Sequence, residues 1–197
     1  MMDKLSIINS NFVQNKEIID KTIQSNIGDI EKATGMLIDM LENDGKLLSC
    51  GNGGSSGDAQ HISSEFINRF EIERKEMPAI SLNSDTATLT SIANDYDYKY
   101  VFAKQINAFG KKEDILMAFT TSGNSNNILE AINSAKTKKM KTILIAGKDG
   151  GKAFPLLDDD DCSIIIPCDR TSRIQEMHLI IIHSMCECLD TYIKGKS

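Results

Sequence analysis

The feature that most constrains the fold of this chain is a series of short apolar runs separated by longer, helix-like stretches. Five runs occur, at residues 46–50, 79–82, 115–119, 142–146 and 162–166. They are continuous rather than alternating with polar residues, which is typical of strands buried on both faces. The pattern predicts an α/β fold with a doubly wound, parallel five-stranded sheet and helices on both faces. Ligands of such sheets bind at the carboxyl ends of the strands.

An N-terminal helical arm is predicted for residues 1–44, because apolar residues recur at helical intervals from Leu5 to Leu41. The segment Asn26-Ile27-Gly28-Asp29 interrupts this pattern. We therefore expect the arm to divide into two helices there, with Asp29 capping the second. Residues 45–197 are predicted to form a single structural unit.

Charge and hydropathy argue against several classes of partner. The 197 residues carry a formal net charge of −6, whereas a nucleic-acid-binding surface normally requires clustered basic residues. No apolar run approaches the roughly 18 residues that span a bilayer, and the first residues lack the pattern of a secretory signal. We expect a cytoplasmic protein that binds neither nucleic acid nor membrane.

The five cysteines are expected to be reduced packing residues. Their number is odd, and their positions lack the spacing of a zinc ribbon. Free cysteine is commonly buried as a small hydrophobic residue. The five positions are Cys50, Cys162, Cys168, Cys186 and Cys188.

Two of the predicted strands end in turns rich in glycine and small polar residues, at 51–57 and 120–125. Backbone N–H groups at a helix N-terminus, together with hydroxyl groups, form a site for an anion such as phosphate. The first turn lacks the third glycine of the dinucleotide fingerprint, and neither turn has the Gly-Lys-Ser/Thr ending of a P-loop. Nicotinamide cofactors and nucleoside triphosphates are therefore disfavoured. The alternative is that both segments are only tight strand-to-helix turns.

All three histidines lie in two helix-like segments, His61 in the first and His178 and His183 in the second. His61 and Glu65 are four residues apart, so their side chains share one helical face. Such a pair can bind a divalent metal or supply a base and its electrostatic partner. The alternative is a surface pair without a catalytic role.

In the second segment, Gln175 and His183 are eight residues apart, which separates them by roughly 12 Å along a helix axis. They can share a metal only if both side chains lean towards it, or if different subunits contribute them. Spacing alone does not choose between His178 and His183.

Taken together, eight segments resemble the bacterial phosphoheptose isomerase family, within the sugar isomerase (SIS) group of sugar-phosphate-binding proteins. They are Ser49-Cys50-Gly51-Asn52-Gly53-Gly54-Ser55, Asp58-Ala59-Gln60-His61, Asn68-Arg69-Phe70, Pro78-Ala79-Ile80, Ala93-Asn94-Asp95, Thr121-Ser122-Gly123-Asn124-Ser125, Gly147-Lys148-Asp149-Gly150-Gly151 and Arg173-Ile174-Gln175-Glu176. The resemblance covers nearly the whole chain and is weakest in the N-terminal arm.

This resemblance implies a flavodoxin-like SIS fold and an aldose–ketose isomerase. The implied reaction converts sedoheptulose 7-phosphate to D-glycero-D-manno-heptose 7-phosphate through an enediol. It is the first step towards nucleotide-activated heptose for lipopolysaccharide or capsule. The resemblance also implies a homotetramer with sites at subunit interfaces.

Carried over by position, the resemblance assigns roles to individual residues. It implies one zinc ion bound by His61, Glu65, Gln175 and His183, which selects His183 over His178. Substrate contacts are implied for Asn52, Gly53, Gly54, Ser55, Glu65, Asn94, Asp95, Thr120, Thr121, Ser122, Ser125 and Gln175. We expect Glu65 to be the catalytic base and His183 the acid. A zinc-bound Glu65 is a weaker base, so its two roles oppose each other.

The sequence departs from the family pattern at Ser172, where some members have an acidic residue just ahead of the arginine. Whether Ser172 contacts the substrate or a neighbouring site residue is therefore left open.

Two alternatives for the function remain at this point. Some close relatives are non-catalytic proteins that bind a replication initiator, although those lack the residues corresponding to Glu65 and His183. The other alternative is an isomerase of a different sugar phosphate, because a phosphate-binding turn says little about chain length.

Overall fold

The computed structural model describes residues 3–196. Six α-helices and five strands occur in this range, with two short 3₁₀ helices between them. The elements in chain order are α1 (Lys4–Glu42), β1 (Leu47–Gly51), α2 (Gly54–Ile67), β2 (Ala79–Ser81), α3 (Thr86–Asp95), the 3₁₀ helix Tyr98–Tyr100, α4 (Ala103–Phe109), β3 (Ile115–Thr120), α5 (Asn126–Thr137), β4 (Lys141–Gly147), the 3₁₀ helix Phe154–Leu156, β5 (Cys162–Ile166) and α6 (Thr171–Lys194).

All five strands are parallel and form one sheet in the order β2-β1-β3-β4-β5. Each strand coincides with one of the five apolar runs, so the predicted doubly wound parallel sheet is confirmed. The strand order reverses between β1 and β3, which are neighbours in the sheet. In open α/β sheets this reversal creates the crevice in which ligands bind.

Two hydrophobic clusters lie on opposite faces of the sheet, and alternate residues of each strand point into each cluster. In β1, for example, Leu47 belongs to the first cluster and Leu48 to the second. Helices α1, α2 and α6 cover the first face, whereas α3, α4 and α5 cover the second. Burial on both faces explains why the strands read as continuous apolar runs.

The N-terminal arm is one continuous helix of 39 residues, so the predicted division at residues 26–29 is wrong. Asp3, not Asp29, caps the helix, by accepting a hydrogen bond from the Leu5 N–H. A glycine inside a helix costs only about 1 kcal/mol, and packing of the apolar face offsets this cost. On the C-terminal half that face belongs to the first cluster; its buried members include Ala33, Met36, Leu37 and Met40. The domain boundary at residue 44 stays a prediction.

The expectation for the cysteines holds for most of them, because Cys50, Cys162 and Cys186 are buried and all five thiols are free. Burial raises the pKa of Cys162 to about 11 and that of Cys186 to about 12. Cys188 is exposed on α6, so its prediction as a packing residue is wrong. Among residues 3–196, no helix is both long enough and apolar enough to cross a membrane.

Candidate active site

The turn after β1 is held in place by a side chain from the end of β2. Asn83 Oδ1 accepts a hydrogen bond from the Gly51 N–H at 3.1 Å, and Asn83 Nδ2 donates to the Gly51 carbonyl at 2.9 Å. Sequence reasoning missed Asn83, although a polar residue just after a buried strand was an available signal. Gly53 is the N-cap residue of α2 and provides no side-chain cap, so the positive end of this helix carries no capping side chain.

The turn after β3 is shaped by its own side chains. Thr120 Oγ1 accepts a hydrogen bond from the Gly123 N–H at 3.1 Å, and Ser122 Oγ accepts one from the Asn124 N–H at 3.2 Å. Gly123 has a φ of +65°, and a Cβ there would lie 1.9 Å from the Gly150 carbonyl oxygen. Only glycine fits this position. The turn leads into α5, where Ser125 is the N-cap residue and its hydroxyl makes no capping bond.

A reciprocal pair of amides joins the two turns. Asn52 Nδ2 donates to Asn127 Oδ1, and Asn127 Nδ2 donates to Asn52 Oδ1, each at 2.8 Å. The Tyr98 hydroxyl donates to Asn52 Oδ1 at 3.4 Å. These residues line an open cleft of about 510 Å³ together with Lys99 and Ser125. The two predicted anion-binding turns therefore form one continuous surface, and Asn127 is a member that sequence reasoning missed.

Asn94 and Asp95 lie at the end of α3 and are both exposed. Asn94 Nδ2 donates to Asp95 Oδ1 at 2.9 Å. Within the described residues neither side chain hydrogen-bonds to the two turns. Their predicted contact with substrate stays a prediction.

Three of the predicted site residues meet between α2 and α6. His61 Nε2 lies 3.1 Å from Glu65 Oε1 and 3.1 Å from His183 Nε2. The His183 ring also stacks on Phe70, with centroids 5.5 Å apart. All three polar side chains are partly exposed, which keeps them accessible to a small molecule. Spacing predicted that His61 and Glu65 share one face of α2. The structure shows in addition that His183 of α6 contacts His61 on this face.

The other two candidates on α6 lie elsewhere. Gln175 Nε2 is 3.5 Å from Ser55 Oγ, at the start of α2 rather than beside His61. A Cβ at Gly54 would lie 2.5 Å from that amide, so the helix start approaches Gln175 closely. His178 is fully buried, with Nδ1 2.8 Å from Asp58 Oδ2. The geometry therefore places His183, and not His178, beside His61.

The donor chemistry of the cluster suits zinc, which takes imidazole nitrogen and carboxylate oxygen. Two ligand atoms on a tetrahedral zinc ion are about 3.3 Å apart, close to the two separations of 3.1 Å around His61. Glu65 and His183, however, share neither an ion pair nor a hydrogen bond in residues 3–196. In the same range no group of three or more His, Cys, Asp and Glu side chains is arranged to hold a metal. The types of donor atom therefore fit a zinc ion, whereas its binding by all four predicted ligands remains a prediction.

Comparison with known proteins gives the family. A model of the SIS domain matches residues 12–147. Phosphoheptose isomerase of Helicobacter pylori strain P12 is 47% identical over 197 residues, which is 100% of both chains. The chain belongs to the phosphoheptose isomerase family.

Further relatives agree with this family and with its fold. The phosphoheptose isomerase of Chromohalobacter salexigens is 51% identical over 168 residues, 85% of each chain. The solved structure of phosphoheptose isomerase GmhA from Neisseria gonorrhoeae matches with a TM-score of 0.92 and 38% identity, covering 96% of this chain and 100% of that one. The resemblance to phosphoheptose isomerases that the sequence motifs indicated is confirmed.

Proposed function

We propose that the chain is an aldose–ketose isomerase that converts sedoheptulose 7-phosphate to D-glycero-D-manno-heptose 7-phosphate. The observation that carries this proposal is the contact of His61 with both Glu65 and His183. It occurs in a chain that is 47% identical over its full length to a phosphoheptose isomerase. Because Glu65 and His183 are both present, a non-catalytic binding role is not favoured.

The reaction needs one base and one acid. The base removes a proton from C1 of the ketose while the acid protonates the C2 carbonyl oxygen, which gives the 1,2-enediol. Loss of the O1 proton and delivery of a proton to C2 then form the aldehyde at C1. We assign the base to Glu65 and the acid to His183, since a carboxylate and an imidazole suit proton transfer near neutral pH. Their common neighbour His61 lies 3.1 Å from each of them, which supports this assignment.

The two turns supply the binding surface in this proposal. Backbone N–H groups and hydroxyls at the starts of α2 and α5 suit a phosphate and the sugar hydroxyls. The reciprocal amide pair of Asn52 and Asn127 fixes the distance between the turns. The residues proposed to contact substrate are Asn52, Gly53, Gly54, Ser55, Glu65, Asn94, Asp95, Thr120, Thr121, Ser122, Ser125 and Gln175.

One zinc ion per site is part of the proposal, with His61, Glu65, Gln175 and His183 as its ligands. When bound, the ion would stabilise negative charge on the enediolate oxygens. A metal-bound carboxylate is a weaker base, so binding the ion and removing the C1 proton compete for Glu65. The Gln175 side chain of α6 lies beside Ser55 at the start of α2, and a substrate contact for Gln175 is part of the same proposal.

A homotetramer with sites at subunit interfaces is proposed for the assembly. The first half of α1 supports it, because apolar side chains there lie in solvent, including Leu5, Ile8 and Phe12. Patches of this kind commonly mark protein–protein interfaces. Since the second half of α1 is part of the core, deleting residues 1–44 would disrupt the fold. Light scattering on Phe12→Asp is the better test, and an unchanged tetramer would remove α1 from the interface.

The proposed location of the protein is the cytoplasm. The product is proposed to supply heptose for lipopolysaccharide or capsule.

The decisive experiment is incubation of the purified protein with sedoheptulose 7-phosphate while the aldehyde product is followed by NMR. Samples taken before chelation, after chelation and after zinc is restored show whether the conversion depends on the metal. Conversion that is lost and regained with zinc supports both proposals. Absence of conversion in every sample would refute the assigned reaction.

A further inference from the structure

Helices α2 and α6 run in the same direction and are joined by a line of polar contacts. The contacts advance together along both helices, from the helix starts towards their ends. They are Ser55 Oγ to Gln175 Nε2 at 3.5 Å, Asp58 Oδ2 to His178 Nδ1 at 2.8 Å, and His61 Nε2 to His183 Nε2 at 3.1 Å. The pair of Asp58 and His178 thus lies directly before the pair of histidines assigned to the reaction.

This pair is enclosed by the protein. His178 has no exposed surface and Asp58 is buried. The His178 ring packs against Phe119, with centroids 5.5 Å apart. Because a carboxylate oxygen accepts hydrogen bonds, His178 Nδ1 is the donor. His178 Nε2 is then left buried without a hydrogen-bond partner in the part of the chain that the structure describes.

Stability alone does not explain such a pair. Burying polar groups has a desolvation cost, and apolar side chains of similar volume often stabilise a core equally well or better. The unpartnered His178 Nε2 adds to the cost. The hydrogen bond does, however, fix the axial position of α2 relative to α6, which an apolar contact does less precisely.

The axial position matters for the reaction. Asp58 precedes His61 by three residues on α2, and His178 precedes His183 by five on α6. A slip of one residue along either helix moves a side chain by about 1.5 Å. A displacement of this size is enough to separate His61 from His183.

We propose that Asp58 and His178 form a positioning pair, which holds α2 and α6 in the register that brings His61 and Glu65 to His183. This inference rests on the proposed isomerase function. The pair contacts no substrate and takes no part in proton transfer. Its effect is on the rate of the chemical step, because a misplacement of about 1 Å can cost roughly 100-fold in rate.

The main test is the double variant Asp58→Leu/His178→Leu, which replaces the pair by apolar side chains of similar size. We expect it to remain folded, with a melting temperature close to that of the unmodified protein. We expect kcat to fall by about 10- to 100-fold, while KM changes by less than about twofold, since the substrate-binding turns are unaltered. Unchanged kcat, or a loss confined to KM, would overturn the proposal.

A conservative variant and a matched control complete the kinetic test. Asp58→Asn keeps an oxygen that accepts from His178 Nδ1, so it should retain most of kcat, whereas Asp58→Ala should not. Asp114→Ala is the control, because Asp114 is equally buried but pairs with Lys46 at the amino end of β1, away from the site. Its kcat should stay close to normal. Equal losses for Asp58→Ala and Asp114→Ala would show a merely structural role.

A measurement that needs no turnover separates this inference from the proposed function. The chain has three histidines, so the double variant leaves only His61 and His183 in long-range ¹H–¹⁵N spectra. We expect their Nε2 signals to move towards those of isolated imidazoles as the contact is lost. Unchanged signals would overturn the positioning role. If the unmodified protein does not isomerise sedoheptulose 7-phosphate, the assigned reaction fails, and these spectra still decide whether the pair sets the register.

Discussion

His61 Nε2 lies 3.1 Å from His183 Nε2, although 122 positions separate the two residues in the chain. The topology brings them together, because α2 follows β1, α6 follows β5, and both helices return across the same face of a parallel sheet. Two helices that return in the same direction meet along their length. His61, two turns into α2, and His183, just over three turns into α6, then lie side by side on this face of the sheet.

Replacing Glu65 by glutamine should abolish turnover while the fold is kept. Glutamine preserves the size of the side chain and a hydrogen-bonding oxygen towards His61, but it cannot accept the C1 proton. Loss of a general base lowers rates by about 10²- to 10⁴-fold. Exchange of the C1 proton with deuterated solvent, followed by NMR, measures this step directly. A variant that exchanges the proton at a near-normal rate would remove Glu65 from the role of base.

The variant Asn127→Ala should weaken substrate binding. Asn127 is buried and forms both hydrogen bonds of the amide pair with Asn52, so its loss frees Asn52 and the turn after β1. Each of the two hydrogen bonds contributes about 0.5–1.5 kcal/mol, so their joint loss corresponds to an increase in KM of roughly tenfold. Asn133, which is exposed on the same helix and does not line the cleft, provides the control. Asn133→Ala should leave KM unchanged, and equal effects of the two variants would contradict the role of the pair.

Much of the fold was predictable because burial on both faces leaves a plain signal. Each apolar run became a strand, with ends that differ from the prediction by at most one residue. The continuity of α1 was not predictable in this way. Local signals at Gly28 and Asp29 favour a helix end, but the contacts that keep α1 continuous come from distant parts of the chain, such as Cys162, whose thiol donates to the Asp29 carbonyl.

The site was predictable only in part. Spacing placed His61 and Glu65 on one face, which the 3.1 Å contact confirms. It could not choose between His178 and His183, because the choice depends on which residue of α2 each one faces. Asp58 pairs with His178, so His183 is the histidine of α6 that contacts His61. The family resemblance selects His183, and the packing of the two helices gives the physical reason for that choice.

Cys188 should be the thiol that reacts first with a disulfide reagent in the folded protein. It is exposed, Cys168 is half-buried, and the remaining three thiols are buried. Burial raises the pKa of Cys186, two positions away, to about 12, so its reactive thiolate is scarce. Absorbance after addition of the reagent should show one fast thiol, and Cys188→Ser should remove that phase. A fast phase that persists in the variant would show that another thiol is accessible.

A buried ion pair fixes the far end of α2 to α6. Arg74 Nε lies 2.7 Å from Asp190 Oδ1, and Arg74 also donates to the carbonyls of Glu65 and Phe66 at 2.6 and 3.0 Å. The other carboxylate oxygen of Asp190 accepts from the Glu71 and Ile72 N–H groups. One arginine thus caps the end of the helix that holds Glu65 and connects it to α6.

This arrangement predicts a loss of stability in acid that depends on Asp190. Burial raises the pKa of this carboxyl, but the hydrogen bonds from Arg74 and the two backbone N–H groups outweigh it and hold the pKa below its ordinary value. The stabilisation is complete above the unfolded pKa of about 3.9 and is lost as the pH falls through the lower, folded pKa. Asp190→Asn should lower the free energy of unfolding by about 3 kcal/mol at neutral pH. It should also make the loss of stability in acid less steep. Urea unfolding between pH 2 and 7 measures both effects. Glu73→Gln, at an exposed pair with Arg69, is the control and should do neither. An acid limb that is equally steep in Asp190→Asn would place the responsible carboxyl elsewhere.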